Sequence, residues 1–277
     1  MIFATKNFDA YYLLLLNHLL SFGEKRPDRT GVGTFSLFGQ QLNFDISTYF
    51  PLLTTKKMFW RGIVEELCWM LRGDTNWKTL AEKDVHIWDD WGDKETGELG
   101  PVYGKMWTQW PGKEKKTINQ LNDLLINMEK DPFSRRHIVT AWNPAYIKDQ
   151  SLPPCHCFFQ FYVHNTTGDK KGLSCKLYMR SCDIFLGLPF NIASYALLTY
   201  IIAEKLNMTP NQLSITFGDL HLYENHIEPA KIQLTRKPFD YPTLKILKVT
   251  DLDNYTYSDF QLLNYKSHST IKAPIAV

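Results

Sequence analysis

Hydrophobic residues recur along the chain at two spacings, one typical of helices and one typical of strands. Leucines between Phe8 and Phe22 lie at helical spacing and Gly23 follows them, so this stretch is predicted to be a helix that ends at the glycine. Similar patterns predict helices over residues 59–71, 118–128 and 192–206. Runs rich in β-branched and aromatic residues predict strands, over residues 34–44, 137–142, 158–163, 173–180, 214–217 and 244–249.

The predicted strands and helices do not alternate as regular βαβ units. This order favours an α+β fold with a mixed, mostly buried β-sheet and flanking helices. The Gly-Asp-Lys-Lys-Gly stretch at 168–172 predicts a hairpin turn between two of the strands. No internal repeat and no Pro/Gly/Ser-rich linker divides the 277 residues, so a single domain over 1–277 is expected.

Composition narrows the class of protein. Hydrophobic residues make up 44% and aromatic residues 14% of the chain, enough for a sizeable core, which excludes a disordered protein. The net charge of +2 provides no overall field for binding DNA or an anionic membrane. Five scattered cysteines are typical of a reducing compartment, and the first residues lack the pattern of a signal peptide, so a cytoplasmic protein is expected.

Cys155 is a candidate nucleophile because it follows Pro153 and Pro154 and precedes an aromatic strand. A cysteine held stiffly in this way reacts as a thiolate when neighbouring cations lower its pKa. A buried, inert cysteine is the alternative on the residues alone. A zinc site at Cys155–Cys157 is not expected, because no second pair of ligands follows at a suitable spacing.

Three segments of the chain carry arginines that could bind an anion. They contain Arg29, the pair Arg135–Arg136, and Arg180 beside Ser181. A guanidinium group forms paired hydrogen bonds with phosphate, and a serine hydroxyl can complete such a pocket. A solvated charged surface is the alternative for each segment.

Further candidates are carboxylate, aromatic and histidine side chains. Glu66 lies at helical spacing with apolar residues and is expected to point inward, for proton transfer or for a buried ion pair. Trp88 and Trp91 could stack on a flat ligand or belong to the core. His221 and Tyr223 alternate on one strand and could hold a sugar hydroxyl or bond to each other.

The order of these motifs resembles the thymidylate synthase family from about Asp28 to Val277. The matching segments are DRTGVGT, TTKK, WRGIVEEL, IWDDW, GPVYGK, SRRHI, PPCH, RSCD, GLPFNIASYALL, GD-x-HLY-x-NH and KAPIAV. The resemblance implies a single-domain fold that forms a homodimer through its sheet. It implies that 5,10-methylenetetrahydrofolate donates one carbon to C5 of deoxyuridylate (dUMP), giving thymidylate and dihydrofolate. The partners are then dUMP, folate and a second subunit, without metal, DNA or membrane.

The resemblance also assigns roles to single residues of this sequence. Cys155 is implied to attack C6 of dUMP, while Arg180 lowers its pKa and binds phosphate. Glu66 and Tyr103 are implied to handle protons through water, and Asp183 and Asn191 complete the catalytic group. The implied nucleotide ligands are Arg29, Arg135, Arg136, Arg180, Ser181, Cys182, Asp183, Asn191, His221 and Tyr223, with Arg135 and Arg136 donated by the partner subunit.

Within these sets, Asn191 is implied to read the pyrimidine, and His221 and Tyr223 to hold the deoxyribose hydroxyl. The implied folate contacts are Lys56, Ile87, Trp88, Trp91, Asp183, Leu186, Gly187, Phe190 and Ala276. Of these, Asp183 is expected to bind the pterin and Lys56 the glutamyl tail. Ala276 and Val277 belong to a tail that is expected to close over the site.

The sequence departs from the family pattern near its catalytic motifs. Met106, Thr108, Met179 and Leu220 stand where the family usually has Gln, Arg, Gln and Thr. The related deoxyuridylate hydroxymethylases share such changes and add water, not hydride, to the exocyclic methylene. Trp88 and the tail ending in Val277 favour the synthase over that alternative. A non-catalytic nucleotide- or RNA-binding relative is a third alternative, disfavoured because Cys155 and the arginines are intact.

Overall fold

The computed structural model describes residues 4–166 and 168–275. Ala276 and Val277 therefore lie outside the described residues. The helices are α1 (Phe8–Phe22), α2 (Trp60–Leu71), α3 (Lys78–Ala81), α4 (Tyr103–Thr108), α5 (Gln120–Lys130), α6 (Gly187–Lys205) and α7 (Ile227–Leu234). The strands are β1 (Glu24–Arg26), β2 (Thr34–Phe38), β3 (Gln41–Asp45), β4 (Trp110–Pro111), β5 (Thr117–Ile118), β6 (Ile138–Thr140), β7 (His156–His164), β8 (Gly172–Asp183), β9 (Thr209–Tyr223), β10 (Thr243–Ile246) and β11 (Phe260–Leu263).

A seven-stranded mixed sheet forms the centre of the fold. Its order is β1-β2-β9-β8-β7-β6, and β3 also pairs with β9. The β8–β9 pair is parallel and the other pairs are antiparallel. Helix α6, most of whose residues are buried, packs against β8 and β9. The α+β prediction with a mixed sheet and flanking helices is thus confirmed, and β7 and β8 form the predicted hairpin.

The single strand predicted over 34–44 is wrong in one respect, because an interruption at Gly39 and Gln40 divides it into β2 and β3 without shifting the register against β9. Gly39 has φ +75°, a left-handed conformation that a glycine adopts without strain. Its N–H donates to the Gly218 carbonyl on β9 at 3.0 Å, so both halves remain paired with the same strand.

The strand predicted over 214–217 is much longer, since β9 runs from Thr209 to Tyr223, and two helices begin at residues other than the predicted ones. Helix α6 begins five residues early, at Gly187 instead of 192, because Pro189 is tolerated in the first turn of a helix. Helix α5 begins at Gln120 because the Asn119 side chain caps it, accepting the Asn122 N–H. Among the described residues, no helix is long and apolar enough to span a bilayer.

One face of the sheet is left open in the monomer. Along β7, Phe158 and Tyr162 are exposed while the alternating residues between and beyond them are buried. Phe158 stacks on Tyr178 of β8 with ring centroids 5.5 Å apart, and Ile138 of the edge strand β6 is also exposed. The open face is therefore partly aromatic and apolar.

Candidate active site

Cys155 lies directly before β7, and its backbone forms hydrogen bonds with residues of α4 and β8. Its N–H donates to the Tyr103 hydroxyl on α4 at 3.0 Å. Its carbonyl accepts the Arg180 N–H from β8 at 2.8 Å. Both hydrogen bonds hold the backbone of Cys155 firmly, and the residue is only partly exposed.

The Arg180 guanidinium is fixed beside this thiol by the two prolines that precede it. Its Nε donates to the Pro154 carbonyl and its Nη2 to the Pro153 carbonyl, each at 2.8 Å. The same Nη2 lies 3.8 Å from Cys155 Sγ. The proline pair therefore positions both the thiol and its cationic neighbour.

The pKa of Cys155 does not follow the expectation of a net decrease. Burial raises the pKa of the thiol, and this outweighs the lowering by Arg180 and Tyr103. The positive charge of Arg180 lowers the pKa of the thiol, as predicted, but burial leaves the neutral thiol favoured. Nucleophilic attack thus requires that the thiol proton leave as the reaction begins.

Glu66 of α2 lies near Tyr103, and Trp88 is its direct hydrogen-bond partner. The Trp88 indole N–H donates to Glu66 Oε1 at 2.8 Å. Burial raises the pKa of Glu66 to about 7, partly offset by the Trp88 hydrogen bond. A carboxyl group with this pKa can exchange a proton near neutral pH, as proton transfer requires.

Tyr103 forms the centre of an aromatic layer below the thiol. Burial raises the pKa of its phenol well above the ordinary value, and the nearby Cys155 and Glu66 charges add to the increase. Its ring stacks on His156 at 3.9 Å between centroids with a 12° angle between planes, and it meets the Trp88 ring at 5.9 Å. Tyr103 is therefore a neutral, firmly oriented hydroxyl.

His156 was not singled out in the sequence, although it directly follows Cys155. Its Nδ1 lies 2.7 Å from the Tyr195 hydroxyl, and burial lowers its pKa to about 3, so the ring stays neutral. The motif PPCH directed attention to the cysteine alone. The stacking partner of Tyr103 becomes visible only when α4 and β7 are brought together.

The segment from the end of β8 into α6 brings several predicted residues to one surface. Asp183 Oδ1 accepts the N–H groups of Phe185 and Leu186 at 2.8 and 3.2 Å, which fixes the turn between β8 and α6. A side chain at Gly187 would lie 3.8 Å from Asn191 Oδ1 and from Asp183 Cβ, so these three are neighbours. The partly exposed residues here are Arg180, Ser181, Asp183, Leu186, Gly187, Phe190 and Asn191, whereas Cys182 is buried and offers only its backbone.

His221 and Tyr223 lie on β9 as predicted, with ring centroids 5.3 Å apart. Asp219, which the sequence reasoning missed, holds His221 Nδ1 at 3.0 Å. The sequence feature that could have identified Asp219 is its two-residue spacing from His221, which places both side chains on one face of a strand. Burial, with Asp183 and Asp28 nearby, raises the pKa of Tyr223 to about 12, and Arg29 opposes the increase.

Two of the predicted folate and phosphate residues are in direct contact. The Arg29 guanidinium lies 5.7 Å from the centre of the Trp91 ring. Trp88 is buried, and Ile87 and Trp91 are partly buried. Arg29, a predicted phosphate ligand, is thereby in contact with the aromatic segment that contains Trp88 and Trp91.

Lys56 is buried and not at a free surface. Its ammonium group donates to the Phe185 carbonyl and lies 3.9 Å from the centre of the Phe185 ring. Burial lowers its pKa to about 8, partly offset by the charge of Asp183. Its proposed contact with a glutamyl tail stays a prediction.

The structure does not bring Arg135 and Arg136 to the other predicted residues. Both are exposed and immediately precede β6. Gln160 on the open sheet face donates to the Arg135 carbonyl at 3.1 Å. The pair thus lies at the border of the open face, and its assignment to a partner's site stays a prediction.

Three of the four residues that depart from the family pattern lie in the interior, and Thr108 is partly exposed. Met106, Met179 and Leu220 are at most 2% exposed. The Met106 sulfur lies 4.0 Å from Asn143 Nδ2, and the Thr108 hydroxyl donates to the Gly104 carbonyl at 2.8 Å. These side chains can influence the site only through the residues that cover them.

The arrangement combines a partly exposed cysteine, a fixed guanidinium and a carboxyl group poised near neutral pH. In residues 4–166 and 168–275, no cluster of three or more His, Cys, Asp or Glu side chains could hold a metal ion. A family model described as thymidylate synthase matches residues 10–277, nearly the whole chain. The chain therefore belongs to the thymidylate synthase family, whose members are one-carbon transferases that use methylenetetrahydrofolate.

Proposed function

We propose that the protein is a thymidylate synthase, which converts dUMP and 5,10-methylenetetrahydrofolate into thymidylate and dihydrofolate. The observation that carries this proposal is the contact between Cys155 Sγ and Arg180 Nη2 at 3.8 Å. Asp183, at the end of the strand that carries Arg180, lies beside Gly187 and Asn191. A nucleophile, an anion-binding cation and polar groups for a base are thereby adjacent.

The first step is addition of Cys155 Sγ to C6 of the pyrimidine. The new S–C6 bond forms as the C5=C6 electron pair moves toward C5 and O4, giving an enolate. Glu66, with a pKa of about 7, exchanges protons with the pyrimidine through water. The dUMP phosphate binds the arginine group, while Asn191 matches the N3–H and O4 of uracil.

The second stage forms a bond from C5 to the one-carbon unit. The folate supplies this methylene and afterwards a hydride, so it leaves as dihydrofolate. One carbon–nitrogen bond of the folate methylene breaks as C5 bonds to it. C5 then loses its proton to the group around Tyr103 and Glu66 as the second carbon–nitrogen bond breaks, leaving an exocyclic methylene. The hydride adds to that methylene as the S–C6 bond breaks and frees Cys155. Trp88, held by Glu66, forms a rigid wall that would keep water from the exocyclic methylene.

A deoxyuridylate hydroxymethylase is the second candidate, favoured by Met106 and Met179. In that reaction water adds to the methylene and tetrahydrofolate leaves unoxidised. Both methionines are buried, so neither presents a polar atom to the site. Their burial and the fixed Trp88 support the synthase as the first candidate.

We also propose that the open sheet face is the surface of a homodimer. Phe158, Tyr162 and Ile138 expose apolar area there, and burying it would stabilise a pair of subunits. Arg135 and Arg136 adjoin this face, which supports their donation to the partner's site. A cytoplasmic location stays part of the proposal.

Product analysis tests the proposal. The purified protein is incubated with dUMP and methylenetetrahydrofolate, the nucleotide is identified by mass, and dihydrofolate is followed by its absorbance. We expect thymidylate and dihydrofolate in equal amounts, and none with the Cys155→Ala variant. Hydroxymethylated nucleotide without dihydrofolate would replace the first candidate with the second, and no product of either kind would overturn both.

A further inference from the structure

A buried histidine, His226, connects the candidate site with the C-terminal segment. It ends the short 3₁₀ turn Glu224–His226 that leads into α7, and its side chain has no solvent exposure. Its Nε2 lies 2.7 Å from the Pro274 carbonyl oxygen. A carbonyl oxygen only accepts hydrogen bonds, so Nε2 must carry the proton.

This bond adds a polar attachment to a stretch of chain that is otherwise held by the packing of Ile271 and Ala273 against the core. Upstream, the C-terminal segment is secured by the His268 N–H on the Thr54 carbonyl at 2.8 Å and by Arg236 Nη1 on the Ser269 carbonyl at 2.7 Å. Among residues 270–275, the Pro274 carbonyl makes the one hydrogen bond described. Beyond Ala273, the hydrogen bond from His226 is therefore the described contact that fixes the chain.

The other side of the histidine ring faces the candidate folate residues. Its Nδ1 lies 3.9 Å from Asp183 Oδ2, and its ring centroid is 5.6 Å from that of Phe185. Asp183 is itself fixed, because its other oxygen accepts two backbone N–H groups. His226 thus lies between Pro274 and a rigid carboxylate of the site, and contacts both.

We propose that His226 is a positioning residue that holds the C-terminal segment beside Asp183 through its Nε2–H. The inference rests on the proposed function, because it assigns the segment a part in covering the folate. Loss of the donor to Pro274 should free the segment and weaken folate binding. The His226 ring also meets the ring of Tyr223, a predicted nucleotide ligand, with centroids 5.5 Å apart.

Two substitutions separate the two ring nitrogens. A glutamine amide reaches about as far as Nε2, so His226→Gln can keep the donor to Pro274. An asparagine amide reaches only as far as Nδ1, so His226→Asn loses it. His268→Asn is the matched control, because His268 Nε2 also bonds a backbone carbonyl, that of Lys237 at 2.8 Å, but its own N–H still holds the chain to Thr54.

The first readout is limited trypsin digestion, which needs no enzyme activity. Cleavage after the exposed Lys272 reports release of the segment, and cleavage after the exposed Lys248 serves as the internal reference. We expect His226→Asn to accelerate cleavage at Lys272 about five- to tenfold, the effect of one lost hydrogen bond. His226→Gln and His268→Asn should remain near wild type. Equal cleavage of the Asn and Gln variants of His226 would overturn the proposal.

The second readout is steady-state kinetics. His226→Asn should raise the KM for the folate about five- to tenfold. Both His226→Asn and His226→Gln lose the ring that meets Tyr223, so any change in the KM for dUMP should be the same in the two variants. An unchanged KM for the folate, or an equal rise of that KM in His226→Gln, would overturn the positioning role.

If the wild type has no activity on these substrates, the proposed function fails, whereas the trypsin result still decides whether His226 holds the segment. If His226→Asn does not fold, wild-type cleavage of His226→Gln supports the proposal and rapid cleavage overturns it.

Discussion

The indole N–H of Trp88 donates to Glu66 Oε1 at 2.8 Å, joining a predicted folate residue to the carboxyl group predicted to handle protons. Trp88 is also stacked on Trp69, with ring centroids 6.1 Å apart, so the bond leaves neither side chain free to turn. The protonation of Glu66 and the position of the aromatic wall are therefore linked.

Burial of Glu66 predicts a pH-dependent contribution to stability. Its pKa is raised from 4.5 to about 7, so the folded protein prefers the neutral form. Relative to Glu66→Gln, the free energy of unfolding of the wild type should fall as pH rises from about 4.5 to about 7, by at most about 3 kcal/mol. Urea unfolding of both proteins at several pH values measures this.

The control for that series is Glu82→Gln, since Glu82 is exposed. Its difference from the wild type should stay within about 0.5 kcal/mol at all pH values. A constant difference between the wild type and Glu66→Gln would show that Glu66 ionises with an ordinary pKa.

Replacing Cys155 with Ala should abolish turnover while dUMP still binds. Arg180 is held by the Pro153 and Pro154 carbonyls, so the anion site does not depend on the thiol. Loss of covalent activation should lower kcat about a thousandfold or more, each tenfold corresponding to about 1.4 kcal/mol of barrier. Isothermal titration with dUMP and single-turnover assays measure the two effects.

Cys157→Ala is the matched control, because Cys157 lies two residues further along the chain and is buried. It should keep kcat within a fewfold and lose about 1 kcal/mol of stability. Turnover in Cys155→Ala at the wild-type rate would rule out a covalent intermediate on this cysteine.

Sequence patterns located the helices better than the strands. Helix α1 has the predicted bounds, because Leu15, Leu16 and Leu19 are buried in the core at helical spacing and Gly23 ends the helix. Strand β9 runs from Thr209 to Tyr223 instead of 214–217. Polar residues such as Gln212 and Thr216 lie along it, paired with β3, and their strand conformation is imposed by the neighbouring strands and not by their own preference.

The site was predictable where one short motif carries the chemistry and not where distant elements meet. Cys155 and Arg180 come from separate motifs, and the structure brings them together. The Tyr103–His156 stack needs α4 against β7, which no local pattern specifies. The net direction of the Cys155 pKa also depends on how deeply the thiol is buried, a property of the whole fold.

Arg136→Ala and Cys155→Ala subunits should complement each other when mixed under conditions that allow exchange. If Arg136 serves the partner's site, one hybrid dimer carries one site with both defects and one intact site. Activity should then rise toward about a quarter of the wild-type value, half of the subunit pairs being hybrids with one working site each. Native mass spectrometry confirms that exchange has occurred.

The control for complementation is each variant alone after the same treatment. Exchange without recovered activity would place Arg136 in its own subunit's site or give it a structural role. A protein that stays monomeric at micromolar concentration would contradict the proposed dimer itself.

Asn191→Asp should weaken discrimination against deoxycytidylate. Asn191 is partly exposed on the first turns of α6, beside Gly187 and Asp183. Its amide can accept from N3–H and donate to O4 of uracil, whereas a carboxyl group suits the opposite pattern of cytosine. Each unpaired buried group costs about 1–3 kcal/mol. The ratio of kcat/KM for the two nucleotides should shift about tenfold or more, and an unchanged ratio would show that Asn191 does not read the base.

The last prediction concerns how buried methionines influence the product. Met179 pairs in register with His156, the residue that stacks on Tyr103, and Met106 lies on the same short helix as Tyr103. A substitution at either position can therefore shift Tyr103 and, through Tyr103, the water that takes part in the reaction. Met106→Gln and Met179→Gln are combined because neighbouring changes need not be additive.

If the methionines only fill the core, the double variant should make the same product as the wild type, with stability reduced by about 1–3 kcal/mol per buried amide. If they place a water beside the exocyclic methylene, the wild type should release some hydroxymethylated nucleotide and the double variant less. We expect the first result, because the Trp88–Glu66 bond holds the wall of the pocket independently of both methionines. The ratio of dihydrofolate formed to dUMP consumed decides between them: a ratio near one in both proteins agrees with the expectation, and a ratio that rises in the double variant contradicts it.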